Sequence, residues 1–337
     1  MEKLIWLVVF TIGYWSYCIF WGVKGARQAR TASDYFLAGR SIGIWVFVLA
    51  ATATSFSGWT FVGHPGTIYN VGLPYAFASF YAITIPLTGV IFLKRQWLLG
   101  KRFGYITPGE MYTEYYGGNA MRLLTVLVAF LFSVPYLGVQ LRASGDLFHV
   151  LTDGLVSIEV GMFALSAVVM IYVASGGLRS VAYVDCAQCI LLALGIVILG
   201  GIAISYIGGW SAFIDGIASM VKQNLALGTK ITPAGHSSLV ALPGSIQAVS
   251  ANTDAVGSSW TGIMCMTYMF ALMGIQSSPA FSMWAFANKT SEPFQLQQVW
   301  ASSLVIGIIL FTFTIVQGLG GNILESMGIL HQVNDKN

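Results

Sequence analysis

The chain has 337 residues, of which 56% are hydrophobic and 9% charged, with a mean hydropathy of +0.74. No water-soluble core of this size needs so much apolar surface, so the composition places the chain in a lipid bilayer. The net charge of +3 gives no reason to invoke nucleic acid.

A membrane-crossing helix needs about 20 mostly apolar residues. Eight runs meet that length, at 4–23, 42–63, 73–97, 123–150, 156–174, 186–207, 260–286 and 299–319. The first run has no small-residue cleavage site behind it and leads into Lys24, Arg27 and Arg30, so it reads as a retained span rather than a signal peptide. The second is interrupted by Ala-Thr-Ala-Thr-Ser-Phe-Ser-Gly-Trp-Thr-Phe-Val-Gly-His-Pro-Gly at 51–66. In hydrocarbon an unpaired backbone group costs several kcal/mol, so a broken helix persists only where protein, water or a ligand meets the freed groups. Transporters hold ions and solutes at such breaks; close helix packing by small residues is the alternative reading. His64, beside the break, fits either a hydrogen-bonded interfacial histidine or a titrating gate.

In the fourth run Tyr136 and Gln140 are four apart and share a face. Arg142 and Asp146, also four apart, are spaced to pair, which lowers the cost of both charges in the membrane; the other reading has Arg142 steering an anionic solute. Asp185 opens the sixth run, behind Gly176-Gly177. A carboxylate there is either a functional group or a helix-start acid favoured by the macrodipole. The cysteines Cys18, Cys186, Cys189 and Cys265 all fall in spans and imply no disulfide framework. Residues 208–259 form the one long polar interruption, in which 210–225 has the spacing of an interfacial amphipathic helix and 228–258 reads as an external loop. The seventh run carries Gly274-Ile275-Gln276-Ser277-Ser278-Pro279, a second break matching the first. Paired interruptions point to a transport site; a simple proline kink is the alternative.

Lys24, Arg27, Arg30, Arg40, Lys94, Arg95, Lys101, Arg102, Arg122, Arg179 and Lys289 fall on one side of the predicted spans, eleven of the sixteen basic residues. Positive loops stay cytoplasmic, which predicts an external N-terminus in the cell membrane.

Three stretches together carry a family likeness: Asp34-Tyr35-Phe36-Leu37-Ala38-Gly39-Arg40-Ser41, the Ser55-Phe56-Ser57-Gly58-Trp59 break, and Tyr172-Val173-Ala174-Ser175-Gly176-Gly177-Leu178-Arg179-Ser180 with Asp185. In this order relative to the spans, the chain resembles the sodium/solute symporter family from about Ser33 onward, and within it the pantothenate and proline permeases. The resemblance implies an all-α integral membrane protein with a LeuT-type inverted-repeat fold of five plus five helices and an extra N-terminal helix. It implies one transmembrane transporter domain over 1–337 with the second repeat incomplete, the sequence stopping in the loop before the family's next helix. It also implies sodium-coordinating carbonyls at Ala53 and Phe56, with Ser55 beside them where some relatives carry an acid, and Asp185 on the sodium route. Substrate contacts are expected at Ser57, Gly58, Trp59, Tyr136, Gln140, Gln276, Ser277 and Ser278.

The expected function is sodium-coupled symport, by alternating access, of a small amino acid or a carboxylate such as pantothenate. Na⁺ is the coupling ion; the solute, the ion and the bilayer are the partners. The alternatives are an inactive truncated remnant and a solute-binding sensor. An enzyme is not expected, because the spans hold no convergent metal or nucleophile set.

Overall fold

The computed structural model describes residues 2–227, 239–240, 262–271 and 273–330. The described residues are almost wholly helical, with one isolated backbone bridge between Ile42 and Asn288. In chain order the elements are α1 (Glu2–Gln28), α2 (Ala32–Leu37), α3 (Ile44–Ser55), α4 (Trp59–Val71), α5 (Leu73–Phe103), α6 (Pro108–Tyr116), α7 (Ala120–Leu151), α8 (Ile158–Ile207), α9 (Trp210–Leu227), α10 (Ile263–Ser277), α11 (Pro279–Ala287) and α12 (Pro293–Ser326). Five of them, α1, α5, α7, α8 and α12, are long and apolar enough to cross a membrane singly, and α3 with α4 makes a sixth span broken at 56–58. The chain is therefore a multi-pass membrane protein.

The difference from eight spans lies in α8 and in the pair α10 and α11. Although α8 is 50 residues long, Gly177 in its middle adopts φ 58° and ψ −156°, which no helix contains. Both halves then run back along α1. Val168 and Tyr172 pack with Cys18, while Tyr17 donates to the Tyr183 carbonyl at 2.8 Å and Gln188 donates to the Tyr14 hydroxyl at 2.5 Å. The Ser180 hydroxyl reaches the Tyr172 carbonyl at 2.9 Å, a distance that eight residues of straight helix, about 12 Å long, do not permit. The helix thus reverses at Gly177 into two passes, matching the fifth and sixth apolar runs. Glycine is required there, since a Cβ would also lie 2.3 Å from the Tyr35 carbonyl oxygen. The seventh run is likewise split, into α10 and α11, at the extended Ser278.

The chain divides into two compact units, one comprising 1–59, 86–191 and 274–302, the other 60–85, 192–273 and 303–337. In the first, Phe47, Ala50 and Ala51 of α3 pack with Leu93 of α5 and with Phe281, Trp284 and Phe286 of α11. Arg40 ties this core to the surface, donating to the Gly100 carbonyl at 2.9 Å and the Tyr105 carbonyl at 2.8 Å. In the second, Ile68 and Tyr75 meet Phe213 and Met220 of α9 and Val316, Leu319 and Ile323 of α12. One face of α9 is thereby buried while Trp210 and Ile214 stay exposed, the pattern expected of an amphipathic helix. Of the external loop expected at 228–258, all but Leu239 and Val240 lies outside the described residues. Leu239 is buried against Ile68 and Tyr75, and its carbonyl accepts from the Leu73 amide at 2.8 Å.

Candidate functional site at the broken helices

The first break begins where α3 loses its hydrogen-bond ladder. Thr54 and Ser55 turn their hydroxyls back onto the Ala50 and Ala51 carbonyls, at 2.9 and 3.2 Å, a pattern that bends helices. Phe56 then becomes extended, at φ −117° and ψ 149°, while its amide still donates to the Ala53 carbonyl at 3.0 Å. Past it, the Gly58 amide donates to Gln140 Oε1 of α7 at 2.5 Å. The space is tight, for a Cβ at residue 58 would sit 2.8 Å from Ala143 Cβ and 3.1 Å from Gln140 Oε1. Tyr136, one turn before Gln140, hydrogen-bonds through its side chain with Ser57. The shared face of Tyr136 and Gln140 is therefore set against the break. Trp59 remains 39% exposed.

Asp185, from the second pass of α8, is buried, and the Thr54 hydroxyl lies 3.4 Å from its Oδ2. Trp284 Nε1 of α11 donates to the same hydroxyl at 3.1 Å. The end of α3 is thus held by groups from three other segments of its unit. The oxygens beside Ala53 and Phe56 are backbone carbonyls, the Thr54 and Ser55 hydroxyls and, next to Thr54, the Asp185 carboxylate.

A further polar cluster touches the same helix one residue before Ala53, and the sequence reading did not find it. Thr52, Gln297, Gln298 and Ser302 are all fully buried. Gln297 Nε2 donates to Ser302 Oγ at 2.7 Å and to Thr52 Oγ1 at 3.3 Å, and Ser302 Oγ bonds Thr52 Oγ1 at 3.0 Å. Gln298 donates to Gln297 Oε1, while its own Oε1 has no hydrogen-bond partner. Five residues apart, Gln297 and Ser302 would diverge by 140° on an α-helix. Residues Leu296–Ile306 are π-helical, however, and that wider turn brings both onto one face. A glutamine pair entering an apolar run was the available signal, since such groups are costly in a membrane and need partners.

At the second break Ser278 is extended, at φ −63° and ψ 157°, and caps α11. Gln276 is fully buried and neither its Oε1 nor its Nε2 has a hydrogen-bond partner. Ser277 is exposed and turns back to the Gly274 carbonyl at 2.8 Å, and Ser278 accepts from the Ser282 hydroxyl at 3.2 Å. Ile275 packs on the cluster that contains Ala50 and Ala51. No hydrogen bond among the described residues joins Gln276, Ser277 or Ser278 to Ser57, Tyr136 or Gln140.

Elsewhere, Arg142 and Asp146 form an ion pair at 2.9 Å. His64 is fully buried and bonds the Ser79 hydroxyl within the second unit. All four cysteines are free.

Broken apolar helices with backbone amides, carbonyls and neutral side chains gathered at a break are the arrangement in which membrane transporters hold ions and solutes. The chain belongs to the sodium:solute symporter family, whose profile matches residues 35–323. It is 28% identical over 247 residues to sodium/proline symporters of Staphylococcus aureus strains JH9 and JH1, an alignment covering 67% of this chain and 43% of each relative. The aligned part is thus less than half the length of these curated relatives. Its fold is like that of a Na⁺-coupled sialic acid symporter solved in a substrate-bound, outward-open state, with a TM-score of 0.50, 18% identity, and coverage of 94% of this chain and 72% of that one. The fold is therefore the LeuT type expected from the sequence. Neither alternative, remnant or sensor, gains support from these likenesses.

Proposed function

We propose that the chain works in sodium-coupled symport, moving a small organic solute across the cell membrane by alternating access, and that it is not an enzyme. The observation that carries this reading is the first break, where the family's sodium segment ends in unwound backbone and Gln140 and Tyr136 engage Gly58 and Ser57. Ala53 and Phe56 lend carbonyls to Na⁺, with Ser55 adjacent and Asp185 on its route. Ser57, Gly58, Trp59, Tyr136 and Gln140 meet the solute from one break. Gln276, Ser277 and Ser278 meet it from the other, and the unpartnered amide of Gln276 is a strong argument there, because a buried unpaired amide costs about 1–3 kcal/mol.

The solute is a small amino acid or a carboxylate, vitamin carboxylates such as pantothenate included. Relatives named for proline and a structural neighbour named for sialic acid support that class. Each Na⁺ moving inward supplies about 2.3 kcal/mol per 100 mV, enough for roughly 50-fold accumulation.

The test is uptake of labelled proline, pantothenate and sialic acid into vesicles holding the protein that carries this segment, under an inward sodium gradient. Accumulation of one solute that collapses when choline replaces sodium supports the reading. Equal uptake in choline, or none of any small carboxylate or amino acid, rejects it.

A further inference from the structure

The end of α1, the turn of α8 and the start of α3 enclose a cavity of about 230 Å³ in the first unit. Two cations face it. Lys24 stands over the Trp21 ring, 4.3 Å from its centroid, and Trp21 is itself stacked on Tyr183 at 4.0 Å. Arg179 spreads its guanidinium over neutral acceptors only: Gln28 Oε1 at 2.7 Å, the Ala38 carbonyl at 2.9 Å and the Ser41 hydroxyl at 3.2 Å. The ion pairs among the described residues are Lys3 with Asp153 and Arg142 with Asp146, so no carboxylate lies within 4 Å of either cation. Asp34, whose field reaches Arg179, turns its Oδ2 to the Thr31 capping box rather than to the guanidinium.

Opposite the cations, Ile42 and Val46 give the cavity an apolar wall. The three elements all end or turn here, which puts the site at the depth where chains leave the hydrocarbon for the headgroup layer. Lysine and arginine converging with no carboxylate in ion-pair contact favour a ligand with negative charge and several acceptor oxygens, and the arginine fork suits phosphate geometry. The start of α3 at Gly43, which has no side-chain cap, adds to the positive field, but the cation pair and the cavity carry the assignment.

We propose that this cavity binds a phosphate-bearing anion, either the headgroup of an anionic lipid lying in the membrane or phosphate from solution. The site needs only a membrane-embedded chain and does not depend on transport.

The test uses the protein in nanodiscs of phosphatidylcholine, with phosphatidylglycerol titrated into one set and inorganic phosphate added to another. Thermal unfolding and native mass spectrometry report binding. Phosphatidylglycerol or phosphate raises the unfolding midpoint and stays bound. Lys24→Gln weakens that binding about fivefold, the effect of one basic side chain at a membrane surface. Lys24→Arg retains it, and Arg122→Gln, which removes a basic residue outside the cavity, leaves it unchanged. Lys24 is exposed, so these exchanges leave packing intact. A response to the lipid alone identifies a headgroup site, and a response to phosphate alone a soluble-anion site. The proposal is overturned if neither anion binds, or if Lys24→Gln and Arg122→Gln behave alike.

Discussion

Gly58 has no room to grow. Its amide is held by Gln140 at 2.5 Å, and any Cβ would press on Ala143. Gly58→Leu should therefore abolish sodium-driven uptake while the protein still reaches the membrane, as read by transport alongside membrane immunoblotting. Gln140→Leu is gentler, for it strands one half-buried amide, at a cost toward the lower end of about 1–3 kcal/mol. Apparent solute affinity should fall roughly tenfold, and an unchanged half-saturation constant would remove Gln140 from the site. Gln140 and its neighbour Tyr136 were legible in the sequence because a four-residue spacing puts them on one helix face. Their target was legible only as a break, since spacing carries no information on which atoms of Ser57 and Gly58 they meet. The meeting of Gln297 with Ser302 was illegible for the opposite reason: α-helical periodicity sends them to different faces, and only the π-turn unites them.

At the scale of elements, two devices decide how the broken helix is held. In the first, α12 grips α3 through Gln297, Ser302 and Thr52. Gln297→Leu should raise the sodium concentration for half-maximal uptake by roughly tenfold, the effect of losing buried hydrogen bonds beside the Ala53 carbonyl. Sodium titrations of the variant and its parent at fixed solute would show it; superimposable curves would leave the cluster a packing role only. The second device is the reversal at Gly177. Alanine there must adopt a positive φ and collide with the Tyr35 carbonyl, so Gly177→Ala should cut the folded amount in the membrane several-fold. Gly201→Ala, whose added methyl meets nothing within 4 Å, should not. Fluorescence-detected size-exclusion of the two variants makes the comparison. Hydropathy marked both flanks of the reversal as separate spans but not that the turn between them is so short, because a single glycine has no hydropathic signature.

For the molecule as a whole, hydropathy and charge carry most of what the sequence tells. Backbone groups in lipid must be paired within their own segment, so apolar length alone locates helices without tertiary knowledge. The division into two units has no such local mark, since each is assembled from three separate stretches of chain. Orientation is an expectation that rests on the eleven basic residues falling on one side of the predicted spans. Cysteines introduced at Ser237 and Asn334 should react with an impermeant maleimide added outside intact cells, while those at Arg27 and Lys101 should not. The reverse labelling pattern would invert the topology.

The fold-back of α8 along α1 also sets a waiting time. Gly22 and Gly25 of α1 offer their bare surfaces to Tyr172, Ser175 and Gly176, and the Gln28–Arg179 bond that closes this contact spans 151 residues. At a synthesis rate of about 5–20 residues per second, α1 stands in the membrane for roughly 10–30 s before its partner has been made. During that interval its glycine face is open to lipid, to chaperones and to proteases, and a strand of nascent chain stalled before Gly176 would never cover it. Biogenesis of this protein is accordingly most vulnerable between the appearance of α1 and that of the first half of α8.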